Sequence, residues 1–82
     1  MRFSNDTKRL LAIWLEPWGE DYWIHPGETF EFAPEKPEDT FYFGVVHCGD
    51  EVSVYAEGGC EHVRVEHDGQ ILECGHRRPT QK

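Results

Sequence analysis

The sequence predicts an all-β domain, a single small antiparallel β-sandwich or partly open barrel of about seven strands. Three observations carry this reading. Apolar and polar residues alternate with period two along most of the chain, and no segment shows a helical period. Gly, Pro and Asp interrupt the alternation at short intervals, as turns between strands require. The length of 82 residues holds one domain, and its eleven aromatic residues supply large buried areas to a core that is otherwise poor in apolar residues.

The expected strands are 9–16, 21–25, 29–33, 41–47, 51–57, 61–67 and 70–75, within a domain spanning 8–76. Residues 1–7 are polar and are expected to fray, and 77–82 (Arg-Arg-Pro-Thr-Gln-Lys) read as a disordered basic tail. In the first strand Ile13 and Leu15 face the core, which puts Trp14 on the opposite face. Pro17 and Gly19 then force a turn. Tyr22 to Phe32 reads as a hairpin about His25-Pro26-Gly27. Proline cannot open a type I′ or II′ turn, so a three-residue loop with Gly27 at positive φ is expected. That loop puts Tyr22, Ile24, Phe30 and Phe32 on one face and Trp23 and Glu31 on the other.

Pro34 to Asp39 is a polar loop whose two prolines stop strand continuation. Phe41 to Val46 is apolar on both faces and reads as a central strand. A turn at Cys48-Gly49-Asp50 leads into a strand with Val52, Val54 and Ala56 inward. The 61–67 strand, carrying Glu61, Arg64 and Glu66, reads as a charge-protected edge. Asp68-Gly69 favours a type I′ turn, pairing His67 with Gln70, Val65 with Leu72, Val63 with Cys74 and Arg64 with Glu73.

Sixteen acids against eight basic residues give a net charge of −8. Binding nucleic acid needs clustered Lys and Arg, and anionic membranes attract the same residues, so neither partner is expected. The charge is uneven. Residues 16–39 carry eight acids against Lys36 and residues 40–76 carry seven against Arg64, whereas both ends are basic. An acidic body of this kind attracts a cationic partner.

Catalysis is not expected, and no cofactor is implied. So short a chain leaves little room for an enclosed cavity. There is no Ser-His-Asp signature, phosphate loop or Rossmann glycine pattern. Glu20 and Asp21 are strand neighbours that point to opposite faces, so they cannot converge. The longest apolar run, Leu10–Leu15, is too short for a signal core or a membrane span, and three cysteines do not make a disulfide framework. Reduced thiols and a cytoplasmic location are the expectation.

The candidate binding site is an aromatic–acidic face: Trp14, Glu16, Trp18, Glu20, Asp21, Trp23 and Glu28. Aromatic rings beside carboxylates suit cationic side chains, through cation–π contact and Coulomb attraction, so a basic protein or peptide is the expected partner. The same rings suit a sugar, which makes a carbohydrate-binding module one alternative. Metal binding is the other. Cys60-x-His62 and Cys74-x-His76 place a thiolate and an imidazole two residues apart, on one strand face. Their spacing matches no common zinc pattern, and the Asp-Gly register turns the two pairs to opposite sides of the ribbon. Pairing through an exposed edge strand would make a homodimer or receive a partner's strand.

The stretch 11–28, with its Glu-Pro-Trp-Gly-Glu-Asp-Tyr turn and following Pro-Gly, resembles a pattern in small uncharacterised bacterial all-β proteins. The resemblance covers about a quarter of the chain. It implies a small bacterial β-sandwich and assigns no ligand or activity.

Overall fold

The computed structural model describes residues 1–74. They form eight strands: β1 (Arg2–Ser4), β2 (Leu11–Glu16), β3 (Glu20–Ile24), β4 (Thr29–Glu35), β5 (Tyr42–Cys48), β6 (Glu51–Glu57), β7 (His62–His67) and β8 (Gln70–Ile71). Two four-stranded sheets result, in the orders β1-β4-β7-β8 and β3-β2-β6-β5. The fold is the expected all-β sandwich. All pairings are antiparallel except β2 with β6, which run parallel. The expected tail, 77–82, lies outside the described residues.

The core is the meeting of two alternating faces. Leu11, Ile13 and Leu15 of β2, Tyr22 and Ile24 of β3, and Val52 and Val54 of β6 are buried from one sheet. Phe30 and Phe32 of β4 and Val63 and Val65 of β7 are buried from the other. Trp18, Phe41, Phe43, Leu72 and Cys74 pack around this cluster.

The structure corrects five expectations. Tyr22 to Phe32 is not a hairpin. The chain leaves the second sheet at Ile24 and enters the first at Thr29, with β3 on β2 and β4 between β1 and β7. Tyr22, Ile24, Phe30 and Phe32 all point inward as expected, because alternation specifies the buried face and not the sheet to which a strand belongs. Gly27 does take positive φ, 82°.

Residues 1–7 do not fray. β1 pairs with β4, and Met1 exchanges backbone hydrogen bonds with Phe32. Asn5 is fully buried and saturated. Its Nδ2 donates to the carbonyls of Arg9 at 2.7 Å and Ile24 at 2.9 Å, and its Oδ1 accepts from the amide and hydroxyl of Thr7. Its backbone amide donates to Glu28 and its carbonyl accepts from Gly27, so Asn5 ties the N-terminus to the sheet crossing.

β5 is an edge strand, not a central one, and its apolar residues on both faces are partly in solvent. β7 is not an edge, since it lies between β4 and the two-residue β8. Arg64 pairs with Glu35 and Glu66 beside it, in place of the expected Glu73. The two remaining turns are as read. Gly49-Asp50 closes β5 on β6, and Asp68 and Gly69 both take positive φ, as a type I′ turn demands. The Glu16–Pro17 peptide is cis in the turn from β2 to β3.

Candidate functional site

Because Leu11, Ile13 and Leu15 are buried inward, Ala12, Trp14 and Glu16 lie on the outer face of the β3-β2-β6-β5 sheet. The register fills in the rest of that face. Trp23 stands opposite Ala12, Asp21 opposite Trp14, Ser53 opposite Trp14 on the other side, and Tyr55 opposite Glu16. On β5, Val46 is opposite Ser53, Gly44 opposite Tyr55, and Tyr42 opposite Glu57.

Read across the sheet, these positions form diagonal stripes. Trp23, Trp14, Tyr55 and Tyr42 occupy one residue each on β3, β2, β6 and β5, every step moving one strand across and two residues along. Successive members are roughly 7–8 Å apart, within reach of large rings. Asp21, Glu16 and Glu57 form a parallel acidic stripe on one side. Ala12, Ser53 and Gly44 form a stripe of small residues on the other. Trp23 is held to the acidic stripe by its own indole, whose Nε1 donates to Asp21 Oδ2 at 2.9 Å.

The two outer faces of the sandwich differ in charge balance. On the β1-β4-β7-β8 face Arg2 meets Glu31, and Arg64 meets Glu35 and Glu66. A polar depression of about 200 Å³ there is lined by Arg2, Thr29, Glu31 and Glu66, among others. On the aromatic face no strand position carries Lys or Arg. Among the described residues, Glu16, Glu51 and Glu57 have no cationic side chain within ion-pair distance. Arg9 pairs with Asp50 at 2.7 Å at the turn into β6.

Four of the seven expected binding residues are therefore brought together: Trp14, Glu16, Asp21 and Trp23. Three are not. Trp18 packs against the core at one end of the sandwich, its ring 4.7 Å from that of His62. Glu20 lies with it, accepting from His62 Nε2 at 2.9 Å and from the Tyr22 hydroxyl at 3.1 Å. Burial, reinforced by the Glu20 charge, pushes the Tyr22 phenol well above its ordinary range. Glu28 sits beyond the other end of β3, where its carboxylate accepts from the His25 amide at 2.8 Å and lies 3.3 Å from the His25 ring and 3.8 Å from that of His67.

Tyr55, Tyr42, Glu51 and Glu57 belong to the face and were not identified from sequence. The alternation of 51–57 marks Glu51, Tyr55 and Glu57 as outward. That β6 runs beside β2 is a long-range parallel pairing with no local signal.

Of the metal candidates, His62 is engaged by Glu20, and Cys60 and Cys74 are partly buried against the core. Burial is the main cause raising both thiols, with Glu35 adding to it at Cys60 and Glu20 at Cys74. His76 lies outside the described residues, among which no group of three or more His, Cys, Asp or Glu is placed to hold a metal ion. No helix among the described residues is long and apolar enough to cross a membrane. Comparison with protein-family models, with curated proteins and with solved structures finds no match to this chain.

Proposed function

We propose that the protein is a non-catalytic binding module, and that the outer face of the β3-β2-β6-β5 sheet takes a basic protein or peptide. One observation carries the reading: an aromatic stripe of four residues runs beside an acidic stripe, on a face with no Lys or Arg at any strand position. Such a face offers ring quadrupoles and unbalanced carboxylates together, which is the combination that attracts ammonium and guanidinium groups. On the opposite face two arginines pair with three glutamates, which leaves a smaller excess of negative charge.

The test is titration of the protein with a short arginine-rich peptide, followed by tryptophan fluorescence and calorimetry at low and moderate salt. Binding should weaken with salt, and the Trp14→Ala/Trp23→Ala double variant should lose at least about tenfold in affinity, or 1.4 kcal/mol. Trp18→Phe, a change at the sandwich end, should bind as the wild type does. Equal binding by the double variant and the wild type, or equal binding of a glutamate-rich peptide, would sink the reading.

A further inference from the structure

The open edge of β5 adjoins the aromatic–acidic face and has three unusual properties. It is seven residues long and carries no Asp, Glu, Lys or Arg from Tyr42 to Cys48, in a chain where these make up 29%. Tyr42, Val45 and Val46 are 61%, 47% and 55% exposed, so both of its faces are partly in solvent. It also lacks the devices that usually blunt an edge: no Lys, no Pro and no bulge in its register with β6. The other edges differ. β1 has three residues, β8 has two, and β3 begins with Glu20 and Asp21.

Gly44 is the second observation. It sits mid-strand, where glycine weakens a sheet and often marks close approach of another group. Its backbone does not require glycine, since it has no positive φ. Packing does not require it either, because a Cβ there would meet only Tyr55 Cβ at an ordinary 3.8 Å. Its place in the face is specific: Gly44 is opposite Tyr55, and Tyr55 is opposite Glu16.

We propose that the open edge of β5 receives an extended basic segment of the partner as a fifth strand, with an arginine or lysine of that segment lying across Gly44 onto the Tyr55 ring. This rests on the aromatic–acidic face being the binding face, and names how the partner is held there. Alternate residues of β5 direct their N–H and C=O away from β6, and an added strand would satisfy them. A residue of that strand facing Gly44 is two strand spacings from Tyr55, about 10 Å. An arginine side chain and a tyrosine ring span that distance between them, over a position that has no side chain. Glu16 and Glu57 flank Tyr55 and complete the charge match.

Charge selects a basic segment over a second copy of this chain. Glu51 and Glu57 stand opposite the two ends of β5, and the chain carries −8 overall. A second copy would bring another −8 to this edge and, from its own β5, no Lys or Arg to match these acids.

The experiment compares a short peptide alternating arginine with valine against the same peptide N-methylated at alternate residues. Each is titrated into wild type, Gly44→Val and Trp14→Ala/Trp23→Ala. The expected result is binding by wild type with amide shifts along Tyr42–Cys48, and at least about tenfold weaker binding on N-methylation or with Gly44→Val. Gly44→Val should melt no lower than wild type, because valine suits a strand better than glycine. Val46→Lys, at a position already exposed, is a second variant that should repel the peptide while keeping the fold. Loss of binding in the tryptophan variant alone, with Gly44→Val, Val46→Lys and the N-methylated peptide all unaffected, would leave the face in place and overturn strand addition. No binding of either peptide by wild type would overturn both. A wild-type dimer that Gly44→Val dissociates would assign the edge to a second copy instead, and would also overturn the proposal.

Discussion

His62 Nε2 donates to Glu20 Oε2 at 2.9 Å, a contact 42 residues apart in sequence that ties β7 of one sheet to β3 of the other. The same carboxylate accepts from the Tyr22 hydroxyl, and the Trp18 ring packs on His62. These four side chains close one end of the sandwich. Trp18 and Glu20, which the sequence groups with the binding residues, thus hold the two sheets together.

Trp18→Ala should therefore lower stability before it affects binding. A half-buried indole packed on the core and on His62 is worth about 2–3 kcal/mol, somewhat below the cost of truncating a fully buried one. In a domain this small, that is a drop of roughly 10–20 °C in melting temperature. Glu20→Lys should act in the same direction, since it sets a cation against His62 and leaves the Tyr22 hydroxyl without its acceptor. Thermal melts by circular dichroism check both. Unchanged melting with lost peptide binding would return the two residues to the binding face.

Asn5 offers a sharper test, because its amide group works in both directions. The Nδ2 donates to two backbone carbonyls and the Oδ1 accepts twice from Thr7. Asn5→Ala should cost about 2–4 kcal/mol, as buried groups lose their partners. Asn5→Asp keeps the shape and the acceptor but cannot donate from its second atom, and it buries a charge, so it should be at least as damaging. Urea unfolding of both variants measures the difference. An aspartate variant as stable as wild type would mean that shape, and not donation to Arg9 and Ile24, is what the site requires.

The split between what was legible in the sequence and what was not follows the range of the interactions. Trp14 and Trp23 could be placed outward because their neighbours Ile13, Leu15, Tyr22 and Ile24 are apolar, and alternation along a strand is local. Asp68-Gly69 gave its turn for the same reason. The β2–β6 pairing that brings Tyr55 and Glu57 beside Glu16 joins segments some forty residues apart. The Tyr22–Phe32 segment fails differently. A hairpin and a crossing between sheets bury the same four residues, and the contacts that Asn5 makes at the crossing come from a stretch whose polarity suggested fraying. β5 misleads because apolar residues on both faces usually mean a buried strand, whereas here they lie at an open edge.

Stability should fall in alkali, and Tyr22 should be a principal cause. Its phenol is neutral when protonated, and burial with Glu20 nearby favours that form in the folded chain. Stability from this group is complete below the unfolded value near pH 10. Above it the unfolded chain releases a proton that the folded chain keeps, so stability drops by up to about 1.4 kcal/mol per pH unit until the folded phenol itself ionises. Cys60 and Cys74, whose thiols are also raised, add slope of the same sign from about pH 9. Urea midpoints at several pH values above 9, for wild type and Tyr22→Phe, isolate the phenol. The variant should be less stable at neutral pH and show a shallower alkaline slope. Parallel slopes would mean that Tyr22 ionises as easily folded as unfolded.

The three cysteines should separate into one fast and two slow thiols. Cys48 ends the open edge strand and is exposed, whereas Cys60 and Cys74 are partly buried against the core. The reactive species is the thiolate, and burial together with Glu35 or Glu20 raises the latter two thiols, which lowers their thiolate fraction at any given pH. With a disulfide reagent at pH 8, one thiol should react about tenfold or more faster than the others in the folded protein, and all three should react alike in denaturant. Cys48→Ser should remove the fast phase and leave the slow ones. A fast phase that survives this substitution would place an accessible thiolate at Cys60 or Cys74, and would reopen the case for metal ligation at the end of the sandwich where His62 meets Glu20.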